Sequence, residues 1–153
     1  MNTEELLPVD ILNKAFKPGL EYAWKFEDIP SVVAECEKLG LAVTGGEVQF
    51  FVQKSTCDLY WLSAGPKDKT PEENWATFCK RSYREFLESF NDIITNTDFE
   101  QEGIKSFHIL YDLKREGVDI CQYLCFTLRA ITENEYYKLK AEYAAYLSRH
   151  KND

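Results

Sequence analysis

The chain has 153 residues, of which 44% are hydrophobic and 14% are aromatic, and its formal net charge is −8. This length is typical of one domain, and the composition can bury a core, which excludes wholesale disorder. The acidic balance argues against binding of a nucleic-acid backbone, which needs a basic surface. It favours encounter with a basic protein partner.

The first residues predict where the protein resides. Met-Asn-Thr-Glu-Glu lacks the basic and apolar regions of a secretory signal, and no apolar run approaches the roughly 20 residues that span a bilayer. We therefore expect a soluble, cytoplasmic protein that does not bind membranes. The chain has 5 cysteines, an odd number, and without an export signal this favours reduced thiols over a disulfide framework.

The first forty residues carry two helical patterns. A short helix is predicted from Pro8 to Phe16, and a second from Ile29 to Leu39 with Asp28 as its cap. Gly40 can adopt the left-handed conformation that ends a helix.

The segment from Leu41 to Gln53 has the pattern of a strand with one irregularity. Its apolar residues occupy odd positions at the start and even positions after Gly45-Gly46. Because one extra residue turns every later side chain to the other face, we predict a β-bulge at these glycines, with positive φ. After it, the residues that face the core are Val48, Phe50 and Val52.

A hairpin and a long helix follow. Lys54-Ser55 is the predicted turn, and Thr56 to Ala64 the return strand, with Cys57, Leu59 and Trp61 on one face. Thr70-Pro71-Glu72-Glu73 has the pattern of a capping box with proline at the first helical position. It predicts an amphipathic helix that runs through Phe90.

The remaining residues predict a second hairpin and a last helix. Apolar residues alternate from Phe107 to Leu113, and Val118 to Arg129 returns as the second arm; a helix from Ile120 to Ile131 is the alternative. Thr132-Glu-Asn-Glu135 is another capping box. The last helix carries four apolar residues on one side: Tyr136, Leu139, Tyr143 and Leu147.

These elements predict an α+β fold. We expect an antiparallel sheet of two hairpins with the helices packed on one face, in the order ααββαββα.

The sequence offers little chemistry. The chain has 2 histidines, and His108 lacks the Gly-x-Ser-x-Gly elbow that would supply a nucleophile. Cys121 and Cys125 lack the further ligands of a zinc site. We therefore predict no catalytic, cofactor-binding or metal site, and a protein that is not an enzyme.

Some residues are candidates for contact with a protein partner. The segment from Asn91 to Gly103 carries four acidic residues and no lysine or arginine, so it can steer a basic partner. A tyrosine that lies away from the core-facing positions of its helix or strand can anchor a partner, since tyrosine is enriched in interfaces. A merely solvated acidic loop is the alternative. The candidates are Asp92, Asp98, Glu100, Glu102, Tyr137, Asp58 and Tyr60.

Parts of the region from Leu7 to Phe90 resemble a bacterial immunity-protein family, the one numbered forty among the immunity proteins of polymorphic toxin systems. The segments that carry the resemblance are Leu7-Pro-Val-Asp-Ile-Leu12, Tyr22-Ala-Trp24, Lys38-Leu-Gly40, Leu41-Ala-Val-Thr-Gly-Gly-Glu-Val48, Glu73-Asn-Trp75 and Cys79-Lys-Arg-Ser82. The resemblance implies an α+β domain across residues 1–153, in which residues 91–153 form an extension with a hairpin and the last helix.

The resemblance also implies a function. Immunity proteins of this kind neutralise a cognate toxin by stoichiometric binding in the cell that produces it, and the acidic balance suits a basic toxin. The motif residues carry the fold rather than a toxin-contact site. The alternatives are another non-enzymatic interaction module of the same fold, or a small enzyme.

Overall fold

A computed structural model of the chain describes residues 2–17 and 21–151. The helices are α1 (Val9–Asn13), α2 (Ile29–Lys38), α3 (Trp75–Asn96), α4 (Phe99–Ser106), α5 (His108–Arg115) and α6 (Glu133–Arg149). The strands are β1 (Ala23–Trp24), β2 (Ala42–Val52), β3 (Ser55–Ala64), β4 (Leu124–Thr127) and β5 (Arg129–Ile131). Short 3-10 helices occur at Thr3–Leu6, Phe26–Asp28 and Ile120–Tyr123.

The described strands form one antiparallel sheet, which confirms the α+β class. Its order is β1-β4-β2-β3, and β5 pairs with β2 beyond the end of β4. The long helix α3 packs across β2 and β3, and α2 packs against both β2 and α3. Strand β4 lies between β1 and β2, so residues beyond Phe90 contribute a central strand and not a peripheral one.

The predicted element order omits β1, which lies between α1 and α2, and it is wrong again after α3. Residues 107–113 lie in α5 and the residue before it, and not in a strand, because the same stretch also carries the helical spacing of Phe107, Leu110 and Leu113. Leu110 is fully buried, and Gly103 of α4 lies so close to Phe50 that an added Cβ would be 2.9 Å from its ring. Tertiary packing on the sheet therefore decides for helix.

The predicted return arm from Val118 to Arg129 is also not one strand. It divides into a 3-10 helix and the short strands β4 and β5, which pair with different parts of β2. The alternative of a helix from Ile120 to Ile131 is wrong as well.

The predicted bulge in β2 is present, but the reason given for its glycines is wrong. Val43 pairs with Ala130 and Gly45 with Arg129, so Thr44 is the extra residue. Neither Gly45 nor Gly46 has positive φ. A Cβ on Gly46 would lie 1.9 Å from the Thr127 carbonyl oxygen, so close strand approach requires glycine there. Val48, Phe50 and Val52 are buried, as predicted.

The turn between β2 and β3 lies one residue earlier than predicted. Gln53 and Lys54 have φ of 51° and 67°, the positive values that a tight two-residue hairpin turn requires. Strand β3 therefore begins at Ser55. Gly40, with φ of 68°, follows α2 in the left-handed conformation that the sequence predicts.

Helix α3 begins later than the capping box predicts. Asn74 caps it by accepting a hydrogen bond from the Thr77 amide, 2.9 Å away. Thr70 and Glu73 do interact, since the Glu73 carboxylate accepts a hydrogen bond from the Thr70 amide at 2.9 Å, but they form a turn ahead of the helix. Asp28 likewise makes no side-chain cap for α2.

Helix α6 has the predicted cap but does not bury the predicted stripe. The Thr132 hydroxyl accepts a hydrogen bond from the Glu135 amide at 3.1 Å. Of the four stripe residues only Tyr136 is buried; Leu139, Tyr143 and Leu147 are exposed. The last helix is therefore attached to the core by its first half alone.

Candidate partner-binding surface

A second irregularity lies in β3, where two aromatic residues turn outward. Leu59 pairs with Val48, and Ser63 pairs with Glu47, the next residue of β2. Residues 60–62 therefore have no partner in β2 and form a bulge of three residues. Tyr60 is 72% exposed and Trp61 is 43% exposed, whereas Leu62 packs against the core. The prediction that Trp61 faces the core with Cys57 and Leu59 is wrong for this reason.

The two rings are held in a defined arrangement. Tyr60 and Trp61 form a T-shaped pair with ring centroids 5.1 Å apart. The Trp61 indole N–H donates to Glu102 Oε2 at 3.3 Å, which links the bulge to α4. Asp58 is exposed two residues before Tyr60 on the same strand. We call Asp58, Tyr60, Trp61 and Glu102 the aromatic–acidic patch.

Three of the seven predicted partner residues thus meet in this patch, namely Asp58, Tyr60 and Glu102. The other acidic residues have separate roles. Asp98 caps α4 by accepting from the Gln101 amide at 3.1 Å, and Glu100 forms an ion pair with Lys114 at 3.1 Å. Asp92 is exposed near the end of α3. The acidic segment therefore does not act as a single cluster, and α5 supplies the basic partner that the sequence of the segment lacks.

Tyr137 lies on another part of the molecule. Its ring forms a T-shaped pair with Tyr136 at 5.4 Å, and Lys69 Nζ lies 5.6 Å from its centroid. Among the described residues no contact joins Tyr137 to the aromatic–acidic patch. Tyr137 is 48% exposed, so it remains available for contact.

Residues with nucleophilic or metal-binding potential are dispersed. His108 is the exposed first residue of α5 and not a strand residue, with Nε2 3.4 Å from Asp112 Oδ2. Cys121 is exposed whereas Cys125 is buried, and burial raises the pKa of the Cys125 thiol to about 12. Cys36 is buried in the same way, which raises its pKa to about 12. Within residues 2–17 and 21–151, no group of His, Cys, Asp and Glu residues could hold a metal ion.

The best-ordered charge network supports a loop rather than a site. Arg81 donates to both carboxylate oxygens of Glu73 at 2.8 Å and to Glu85 at 2.7 Å. It also donates to the Lys67 and Asp68 carbonyl oxygens, both at 3.0 Å. The hydrogen bonds from Arg81 lower the pKa of Glu73 to about 2. This network fixes the loop between β3 and α3.

Sequence reasoning missed Trp61 as a surface residue. The run from Leu59 to Leu62 is apolar at four consecutive positions, so its alternation is ambiguous. That ambiguity is the one sequence signal of the bulge, since a regular half-buried strand would alternate.

No helix in the described part of the chain has the length and apolar character needed to cross a membrane. Comparisons with protein-family models, with curated proteins and with solved structures found no match for this chain.

Proposed function

We propose that this protein binds another protein through the aromatic–acidic patch and that its partner is a cognate bacterial toxin, which it neutralises by stoichiometric binding. The observation that carries the proposal is the three-residue bulge of β3, which exposes Tyr60 and Trp61 as a paired unit held by the Glu102 carboxylate.

The patch combines the two properties that a tight protein interface needs. Exposed tyrosine and tryptophan supply large anchors that lose little conformational entropy on binding, and such residues dominate interface energies. Here their positions are already fixed, because Trp61 is held by Tyr60 on one side and by Glu102 on the other. A partner would therefore meet a preorganised surface.

The charge of the patch supports a basic partner. Glu102 contacts Trp61, Asp58 is exposed two residues before Tyr60, and the chain as a whole carries −8. Acidic residues around aromatic anchors speed the encounter with a basic protein and orient it. The resemblance to immunity proteins of polymorphic toxin systems supplies the class of partner, a basic toxin made in the same cell.

The test is binding to the product of the adjacent gene, which this proposal takes to be the toxin. Calorimetric titration should give one-to-one binding by the unaltered protein. The double variant Tyr60→Ser/Trp61→Ser should lose about 1,000-fold in affinity, since truncation of a central aromatic anchor costs roughly 2 kcal/mol and two anchors are lost. Growth of cells that express the toxin should fail with this variant and continue with the unaltered protein.

A matched control is Tyr111→Ser. Tyr111 of α5 is 44% exposed, close to the value for Trp61, but lies outside the patch. This variant should bind and protect as the unaltered protein does. No binding of the adjacent gene product would exclude the toxin as partner. Binding that survives the double variant would exclude the patch.

A further inference from the structure

Helix α6 has two halves with different surroundings. In the first half, the Tyr136 ring lies 5.6 Å from that of Trp75 and 5.7 Å from that of Phe78, and its hydroxyl donates to Asp68 Oδ1 at 3.2 Å. Lys140 donates to the same carboxylate. From residue 141 to residue 149 every residue of the helix is exposed.

An exposed apolar stripe begins at Leu139 and continues along this second half. Its four residues, which we call the α6 stripe, are Leu139, Tyr143, Tyr146 and Leu147. Their spacing of four, three and one places them on a single face of the helix. Leu139 is 54% exposed and Tyr143 is 62% exposed. Because half a helix of this length is marginal on its own in water, an apolar stripe of this kind calls for a second surface to cover it.

The α6 stripe continues into an open groove of about 340 Å³ between α6 and the end of the sheet. Its walls are Leu139 and Tyr143 from the stripe and Thr44, Ile131, Tyr136 and Lys140 around them. Thr44 is the residue that the bulge of β2 turns outward. One wall of the groove thus comes from the irregularity in the pairing of β2 with β5.

Charge distinguishes between possible occupants. Residues 138–151 carry four basic residues and one acidic residue, a net of +3, whereas the whole chain carries −8. The rest of the molecule therefore carries −11. The end of α6 would repel a basic toxin, but it complements the acidic first turn of α6 in another copy of this chain, which contains Glu133 and Glu135.

We propose that the α6 stripe binds the α6 stripe of a second copy, with the two helices antiparallel. This direction brings Arg149 in the last turn of each helix, and Lys151 just beyond it, towards the acidic first turn of the other, which contains Glu133. The two helix dipoles are then antiparallel, which is the favourable arrangement.

The spacing of the stripe fits a two-fold axis. Leu139 and Leu147 each lie four residues from Tyr143, so an axis at Tyr143 places the Leu147 of each copy opposite the Leu139 of the other, at the mouth of the groove. The same face thus meets itself, as a two-fold symmetric interface requires.

The first test is the mass in solution, measured by sedimentation equilibrium. Because dimer formation follows mass action, the unaltered protein should be a dimer at about 0.1 mM and dissociate on dilution. Tyr143→Glu should be a monomer at that concentration, since it places two carboxylates at the axis. Val9→Glu is the matched control, because Val9 is 72% exposed outside the stripe and should remain dimeric.

The second test is a charge exchange. Glu133→Lys and Lys151→Glu should each weaken the dimer about 5-fold, as two symmetric surface ion pairs are lost, and the two changes together should restore it. Both residues are exposed, so each variant should remain folded. A melting temperature as high as that of the Tyr143→Glu monomer would show this separately from dimer formation.

An unaltered protein that stays monomeric at 0.1 mM would overturn the proposal, and so would a dimer that survives Tyr143→Glu. Parallel or unrelated pairing would appear as a failure of the double exchange to restore the dimer. The proposal does not rest on the toxin, because Tyr60→Ser/Trp61→Ser should leave the dimer unchanged.

Discussion

Two regions of this molecule differ in how closely their residues are packed. The first region is the seam, where β2 pairs with β4 and β5. Here the strands approach so closely that no side chain fits at Gly46. In the second half of α6, aromatic and aliphatic residues stand exposed to solvent. Close approach limits which residues fit in the seam, whereas the residues of the α6 stripe are exposed. Substitutions should therefore affect stability in the seam and association on the helix.

The largest effect on stability is expected at Gly46. A Cβ there would meet the Thr127 carbonyl oxygen at 1.9 Å and Phe126 at 3.0 Å, so β2 and β4 must separate. Gly46→Ala should destabilise the protein by about 3 kcal/mol or more, or prevent folding, as measured by urea unfolding.

Gly45→Ala is the matched control for the seam. Its nearest neighbour is Arg129 Nη2, the end of a flexible side chain, at 2.8 Å. The cost should be about 1 kcal/mol, since the side chain can move. Equal costs at the two glycines would contradict the role that we assign to close strand approach.

The next effect is expected where α6 is anchored. Tyr136→Ala removes the ring that packs on Trp75 and Phe78, and should cost about 3 kcal/mol. Tyr143→Ala, seven residues along the same helix, should change the unfolding free energy of the monomer by less than about 0.5 kcal/mol. A similar loss for both would show that the two halves of α6 do not differ.

The Arg81 network gives a pH-dependent effect of smaller size. The pKa of Glu73 falls from its ordinary 4.5 to about 2 in the folded protein because Arg81 binds the carboxylate. The carboxylate therefore stabilises the fold fully above about pH 4.5, and this stabilisation is lost as the pH falls towards 2. The difference in unfolding free energy between the unaltered protein and Glu73→Gln should shrink over that range. Glu72→Gln, beside it, should show no such trend.

The smallest effects are expected from the acidic residues, and on rates rather than on stability. Neutralising Asp58 and Glu102 together should slow association with the toxin and flatten its dependence on salt. Asp92→Asn should do neither, because Asp92 lies outside the patch. Stopped-flow measurements of the association rate at two salt concentrations separate these outcomes. The same salt dependence for all variants would show that Asp58 and Glu102 do not steer association.

Local patterns in the sequence were sufficient for part of this fold. The parity change in β2, the left-handed residue Gly40 and the capping box at Thr132 each predict a feature that the structure contains. These features depend on residues adjacent in sequence. The requirement for glycine at position 46 could not be predicted, because it arises from Thr127, a residue of another strand.

Where long-range packing decides, the sequence was misleading. Residues 107–113 fit a strand by their alternation and a helix by the spacing of Phe107, Leu110 and Leu113, and the burial of Leu110 against the core is what the helix achieves. The candidate surface shows the same limit. Asp58, Tyr60 and Glu102 were identifiable as exposed polar or aromatic residues, but the bulge that adds Trp61 to them depends on the pairing of β3 with β2.

The most direct test of the separation between the two surfaces is amide hydrogen exchange of the protein with and without its toxin. Residues 60–62 have no partner in β2, so their amides should exchange readily in the free protein and become protected in the complex. The amides of residues 141–149 should respond to protein concentration instead. Protection by the toxin that appears on α6 and leaves residues 60–62 unchanged would contradict the assignment of the patch to the partner.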